Sequence, residues 1–262
     1  MGKIIAFTNQ KGGVGKTTTC INVAAYLAAM GKRTLVVDMD PQGNATSGLG
    51  VEKNKDLATL YDVMSGEKAS AEVIQKTVMK GLDIIPATVD LAGAEIELVQ
   101  KDARERVVKE ILTPLRAIYD YIFIDCSPSL GLLTVNALTA ADSVAIPIQC
   151  EFFALEGLSQ LMNTIKLVIK HLNSNLKIEG VILTMRDNRS NLVQQVSEEI
   201  RRFFKEKVFN MAVPRSIRLA EAPSHGKPIV LYDPKSKVAQ AYLEITNELL
   251  KMNNYSYKNI TI

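Results

Sequence analysis

Residues 9–18 read Asn9-Gln10-Lys11-Gly12-Gly13-Val14-Gly15-Lys16-Thr17-Thr18. The apolar run Ile4-Ile5-Ala6-Phe7 precedes them, and a helix-forming stretch from Lys16 to Met30, closed by Gly31, follows. Buried strand, glycine-rich loop and helix, in that order, make a phosphate loop. The glycines let the backbone fold tightly and turn successive N–H groups toward phosphate oxygens. The helix behind them presents its positive end to the same anion. Lys16 is placed to reach the β- and γ-phosphates of a nucleotide, and the Thr17 hydroxyl to ligate Mg²⁺. The strict pattern has glycine where this chain has Gln10, and the chain carries an additional lysine, Lys11, beside it.

Outward from the loop, strand and helix alternate. Short apolar runs predict strands at Lys3–Thr8, Arg33–Asp38, Leu82–Pro86, Tyr121–Asp125, Ser143–Ile148, Lys177–Thr184 and Lys207–Val213. Helical spacing fills the intervals at Asp102–Tyr119, Leu132–Ala140, Leu155–Leu172, Asn191–Lys205 and Lys237–Lys251. Asn44 to Ala71 lacks clear alternation and reads as loops and short helices. Continuous Val/Ile/Leu strands joined by helices imply a mostly parallel, twisted sheet flanked by helices on both faces, an α/β fold. The expectation is a single phosphate-loop NTPase domain over residues 1–252, with a polar tail over 253–262.

Two further strands end in acids: Val37-Asp38-Met39-Asp40-Pro41-Gln42-Gly43 and Ile124-Asp125-Cys126-Ser127-Pro128. Ligands of open α/β sheets bind outside the carboxyl ends of the strands. An acid there can hold Mg²⁺ or its water, or orient an attacking water. A lone aspartate at such a place could equally cap a loop; three beside a phosphate loop point to chemistry.

Composition sets the outer bounds. The 262 residues are 47% hydrophobic and 23% charged, which suits a well-cored globular chain and excludes broad disorder. Net charge is +3, but nine Lys/Arg against five Asp/Glu between Val181 and Val230 give that window +4. Three distant cysteines, Cys20, Cys126 and Cys150, read as buried thiols in a reducing compartment. No apolar stretch has the length of a membrane span, and no targeting segment is evident. The expected location is the cytoplasm.

The loop, the segment Val37-Asp38-Met39-Asp40-Pro41-Gln42-Gly43-Asn44-Ala45-Thr46, the segment Ile124 to Pro128, and Val213-Pro214-Arg215-Ser216-Ile217-Arg218-Leu219-Ala220-Glu221-Ala222-Pro223-Ser224-His225-Gly226-Lys227-Pro228 together resemble the ParA/Soj family of chromosome- and plasmid-partitioning ATPases. The likeness runs from Met1 to about Leu250. It implies an ATPase using ATP and Mg²⁺, with nucleotide held by Lys11, Gly12, Gly13, Val14, Gly15, Lys16, Thr17 and Thr18. Lys11 would reach across an ATP-dependent homodimer to the partner's phosphates. Asp40 would position or activate the hydrolytic water. Thr17 would ligate Mg²⁺, with Asp38 and Asp125 supporting its shell. Pro214, with Met185, would lie near the adenine. An added lysine on the transferring phosphoryl group does the work of an arginine finger, in cis or in trans.

The resemblance further implies non-specific double-stranded DNA as a partner of the ATP dimer, a nucleoid association, and a ParB-type protein that stimulates hydrolysis. Arg189 and Arg218 are the foremost DNA candidates, with Arg186, Arg215, Lys205 and Lys207 behind them. Phosphate neutralisation with counterion release is the physics. A solvated, self-paired charged face is the alternative, since the helix Asn191–Lys205 has its own apolar stripe in Leu192, Val196, Ile200 and Phe203. Other functions share the loop. A MinD-like membrane-cycling ATPase needs an amphipathic C-terminal helix, and the tail from Lys251 to Ile262 lacks an apolar stripe, so no membrane partner is expected. An iron–sulfur reductase needs cysteines that bridge subunits. A small-molecule ligase or kinase needs a second substrate pocket.

Overall fold

The computed structural model describes residues 1–186 and 190–253. In chain order the elements are β1 (Lys3–Phe7), α1 (Lys16–Ala29), β2 (Thr34–Met39), α2 (Asn44–Gly48), α3 (Leu60–Ser65), α4 (Ser70–Val73), β3 (Gln75–Lys76), β4 (Leu82–Ile85), α5 (Leu91–Leu98) and α6 (Val107–Leu112). They continue with β5 (Tyr121–Cys126), α7 (Leu132–Ala140), β6 (Ser143–Gln149), α8 (Ala154–His171), β7 (Lys177–Thr184), α9 (Asn191–Phe204), α10 (Ile217–Glu221), α11 (Ile229–Tyr232) and α12 (Lys237–Met252). The seven strands form one sheet in the order β3-β4-β2-β5-β1-β6-β7. Every pairing is parallel except that of the short edge strand β3 with β4.

Period-two alternation divides the apolar residues between two cores. Ile4, Ala6, Leu35, Val37, Ile122 and Ile124 face one side, where α3 and α5 to α9 pack. Ile5, Phe7, Val36, Tyr121 and Phe123 face the other, against α1 and α12. Both faces of each central strand are therefore covered, which is why those strands read as unbroken apolar runs rather than as alternating ones. All of β2 and β5 is buried.

Three expectations need correction. Lys207–Val213 is not a strand. Its Phe209 and Val213 N–H groups donate to Val181 (2.9 Å) and Leu183 (2.8 Å) carbonyls of β7. These donors are four residues apart and their acceptors two, so the segment is out of step with β7 and no continuous ladder forms; the Asn210 N–H between them goes to the Glu248 carboxylate (3.0 Å) on α12. The helix expected over Asp102–Tyr119 is restricted to α6 and a 3₁₀ turn at Pro114–Ala117. Pro114 has no N–H to continue the helix. On α9 the buried stripe is Val196, Ser197, Ile200 and Phe204, whereas Leu192 and Phe203 are exposed.

Of the tail, only Asn253 is described. Its side chain donates to Glu179 (2.7 Å) and to the Leu249 carbonyl (2.7 Å), so this residue is anchored. The rest of the tail, with Tyr255 and Tyr257, lies outside the described residues.

Candidate active site

β1, β2 and β5 are neighbours in the sheet and end at the same edge, with Phe7 beside Asp125 and Asp38 beside Asp125 in register. The phosphate loop therefore rises beside the acidic end of β5, with that of β2 one strand further along the sheet. Gly15 has φ +84°, a left-handed turn that feeds α1 with no side-chain cap. The first-turn N–H groups of α1 are thus left to bind an anion. The loop is pinned from below. Thr184 Oγ1 donates to the Val14 carbonyl (2.8 Å), Asn9 Nδ2 donates to the Pro147 carbonyl (2.8 Å), and Asn9 Oδ1 accepts from the Lys11 N–H (3.1 Å).

A cavity of about 630 Å³ opens over the loop. Gly12, Gly13, Gly15, Lys16, Thr17, Thr18, Asp40 and Met185 line it, with Ile21, Pro128 and Pro223 among the rest of its wall. Pro214 is not among the lining residues; its backbone bridges to Arg186, next to the lining residue Met185. Met185 holds φ +50°, an uncommon conformation for a side chain of its size.

Lys16 is 6% exposed, and its Nζ donates to the Lys11 carbonyl (3.0 Å). Burial lowers the Lys16 pKa, while Asp125, Cys126 and Asp40 pull it back up. Lys11 does not enter the cavity; its ammonium is paired with the Glu151 carboxylate at the end of β6. Both side chains of that pair are partly exposed, and Phe152 (71% exposed) and Phe153 (64%) stand beside it.

The buried aspartates differ. Asp38 is saturated by protein donors: Thr46 N–H (2.8 Å) and hydroxyl (2.7 Å) on Oδ2, and Asp40 N–H (3.2 Å) on Oδ1. Burial nevertheless raises its pKa to about 6 against these bonds. Asp125 is fully buried, and neither of its oxygens has a hydrogen-bond partner among the described residues. Burial, then Asp38, push its pKa well up, with Thr17 and Lys16 acting against them. Two orphaned carboxylate oxygens close to Thr17 fit the hydrated shell of a divalent cation, whereas both oxygens of Asp38 already accept protein hydrogen bonds. No group of three metal-ligating side chains occurs among the described residues.

Asp40 is 8% exposed at the mouth of the cavity, where its Oδ1 accepts from the Gln42 N–H (2.9 Å). Cys20, Cys126 and Cys150 are free and buried on separate elements, and burial raises the pKa of each. Arg218 is exposed but already paired with Glu221 (3.1 Å) and Asp233 (3.7 Å). Arg189 lies outside the described residues. Sequence reasoning missed Glu151 and the bonding role of Thr46. Nothing in local pattern marks the first, while the second stood inside a segment already singled out.

A lysine-bearing phosphate loop under an acid-lined cavity at the carboxyl edge of a parallel sheet defines a phosphate-loop nucleoside triphosphatase. The AAA domain family profile matches residues 2–178. The sporulation initiation inhibitor protein Soj of Bacillus subtilis is 59% identical over 249 residues, covering 95% of this chain and 98% of that protein. The chromosome-partitioning ATPase Soj of Treponema pallidum is 49% identical over 250 residues, covering 95% and 98%. The solved structure of cobyrinic acid a,c-diamide synthase from Mycobacterium smegmatis, with bound ADP and magnesium, is 35% identical with a TM-score of 0.85 over the whole of both chains. The chain belongs to the ParA/Soj family of chromosome-partitioning ATPases.

Proposed function

We propose that this ATPase takes Mg²⁺–ATP on the loop Lys11–Thr18, pairs with a second copy through Lys11, and in that state holds double-stranded DNA without sequence preference. Hydrolysis, stimulated by a ParB-type partner, would release it and so drive partitioning of a chromosome or plasmid. The observation that supports this reading best is the second lysine. Lys16 alone serves the cavity from within, and Lys11 stands outside it against Glu151. A cation kept at the rim can serve a neighbouring copy's nucleotide.

The residues have separable tasks. The loop N–H groups and Lys16 bind and orient the phosphates. Thr17 and Asp125 would hold the hydrated Mg²⁺, which neutralises charge on the phosphate oxygens when bound. Asp40 faces the cavity and would orient the attacking water. Met185 and Pro223 supply apolar walls for the base. The 59% identity to Soj, against 35% to the diamide synthase, favours a partitioning ATPase over a small-molecule ligase. A membrane-cycling role has less support. Such a role needs an exposed amphipathic helix, and α12 buries its apolar face in the core.

The test is DNA binding by Asp40→Ala, which should retain ATP. We expect binding to any duplex with ATP and not with ADP, weakening steeply with salt as released counterions dictate. Arg218→Glu should abolish it, since the new carboxylate must repel the backbone that Arg218 would otherwise contact. No binding with either nucleotide would sink the DNA reading.

The Lys11–Glu151 pair yields a second expectation. A partly exposed ion pair contributes at most about 1 kcal/mol, and a dimer releases two of them. Glu151→Gln, in the Asp40→Ala background, should therefore lower the protein concentration needed for half-dimerisation with ATP by roughly three- to tenfold. Light scattering across a dilution series reads this directly. A need for higher concentration would mean that Glu151 helps to join the copies instead of holding Lys11 back.

A further inference from the structure

The stretch Asp40–Thr46 runs from the end of β2 into the first turn of α2 and carries Asp40 at its start. Its two ends converge on one buried carboxylate: Asp38 Oδ1 accepts the Asp40 N–H (3.2 Å), and Asp38 Oδ2 accepts the Thr46 N–H (2.8 Å). The Thr46 hydroxyl closes the clasp. It donates to Asp38 Oδ2 (2.7 Å) and accepts from the Ala87 N–H (3.0 Å), just past the end of β4. Thr46 is fully buried, so water cannot replace either bond. Ala87 meets the loop a second time. Gly43 has φ +59°, and a Cβ there would overlap the Ala87 carbonyl oxygen. Ala87 is thus a strut against which the loop is seated. Among the described residues, the Thr46 hydroxyl is the side-chain group that joins strut, carboxylate and loop.

We propose that Thr46 is a positioning residue for hydrolysis: by clasping Asp38 to Ala87 it sets the path of the Asp40 segment and so the aim of the Asp40 carboxylate into the cavity. This rests on the reading that Asp40 orients the attacking water. The hydrogen bonds of Thr46 go to Asp38 and Ala87 and not to the phosphate loop, so its loss should act on turnover and leave nucleotide affinity nearly alone. Valine has the shape of threonine but neither donates nor accepts. Thr46→Val leaves the Ala87 N–H without an acceptor and Asp38 with one donor fewer, which frees the segment at its far end.

The experiment compares wild type, Thr46→Val, Thr46→Ser and Asp40→Ala in single-turnover hydrolysis, with affinity for a fluorescent ATP analogue measured in parallel. Thr46→Val should lower the hydrolysis rate about tenfold, the effect of a displaced orienting group, with affinity changed less than about threefold. Thr46→Ser, which keeps the hydroxyl, should recover most of the rate. Affinity near wild type also certifies the fold; if valine prevents folding, Thr46→Ala removes the same hydroxyl with less crowding. A Thr46→Val protein with full rate overturns the inference, as does a serine variant no better than valine. Loss of affinity in step with rate would overturn it too, because it would show a general structural role. If Asp40→Ala itself hydrolyses ATP at the wild-type rate, the reading of Asp40 has failed, and that result is separate from the others.

Discussion

Lys16→Ala is expected to reduce ATP turnover by about a hundred- to a thousandfold, the range seen when a preorganised donor to developing negative charge is removed. The size of the effect follows from where this ammonium sits. It is 6% exposed, spans the loop to the Lys11 carbonyl, and is the only lysine among the described residues that line the cavity. Water screens it little, so its attraction for phosphate is strong. Burial already lowers its pKa, and Asp125, Cys126 and Asp40 hold it up; a bound phosphate adds to the second group. Alanine should weaken nucleotide binding as well, because the same charge acts before and during the reaction. Phosphate release and nucleotide titration together measure both losses. Turnover within a few-fold of wild type would remove the loop from the chemistry.

Asp125→Asn should do two opposite things: abolish turnover and make the nucleotide-free protein more stable. The carboxylate is fully buried with no hydrogen-bond partner on either oxygen among the described residues, so ionising it in the folded state is costly. Its pKa is raised by burial and by Asp38, itself at about 6. Below the unfolded carboxylate pKa of ~3.9 the carboxyl is protonated in both states and costs nothing. Through the window up to each folded-state pKa the folded protein binds the extra proton, so stability falls as pH rises. The nucleotide-free wild-type protein should therefore melt at a higher temperature near pH 5 than near pH 7.5. Every tenfold gain in the folded protein's proton affinity over the unfolded chain's corresponds to ~1.4 kcal/mol. With ~2–4 °C per kcal/mol for a chain of this size, Asp125→Asn should raise the pH 7.5 melting temperature by a few degrees and flatten its pH dependence. Thermal melts at both pH values without nucleotide, beside hydrolysis assays with Mg²⁺, test the pair of claims. A variant that melts lower at pH 7.5 would show that the charge is already compensated before anything binds.

The buried centre of this fold is legible in the sequence because its strands are covered on both faces. Tyr121–Cys126 and Thr34–Met39 are wholly buried, and their apolar runs end where the structure ends them, within a residue. The helical spacing of Leu132–Ala140 gives that helix to the residue. The periphery is less legible because its structure depends on distant partners. Phe209 and Val213 meet β7 out of step with its own spacing, and the two-residue strand Gln75–Lys76 exists only by pairing with β4. Helix α5 (Leu91–Leu98) carries two acids, and its sequence does not announce an element.

The site divides in the same way. The loop, Asp40 and Asp125 can be placed from their position after strands. Asp38 groups with Asp125 in sequence as a support for Mg²⁺, yet its oxygens are occupied by Thr46 and Asp40. The two acids are one strand apart and identical in type, and only the donors around each separate them. The Lys11–Glu151 pair spans 140 residues of chain, a distance across which local pattern carries no information.

The strand order also bears on how the chain comes into being. β1, made before every other strand of the sheet, lies between β5 and β6, whose residues run from 121 to 149. The floor of the phosphate loop is thus missing until residues 121–149 have left the ribosome. At ~5–20 residues per second that interval is on the order of ten seconds. During it an apolar N-terminal strand and a lysine-bearing loop wait without their neighbours, and a nascent chain in that interval has no seat for nucleotide. The seat of the loop is therefore completed well after the glycines and lysine that line the cavity have been joined.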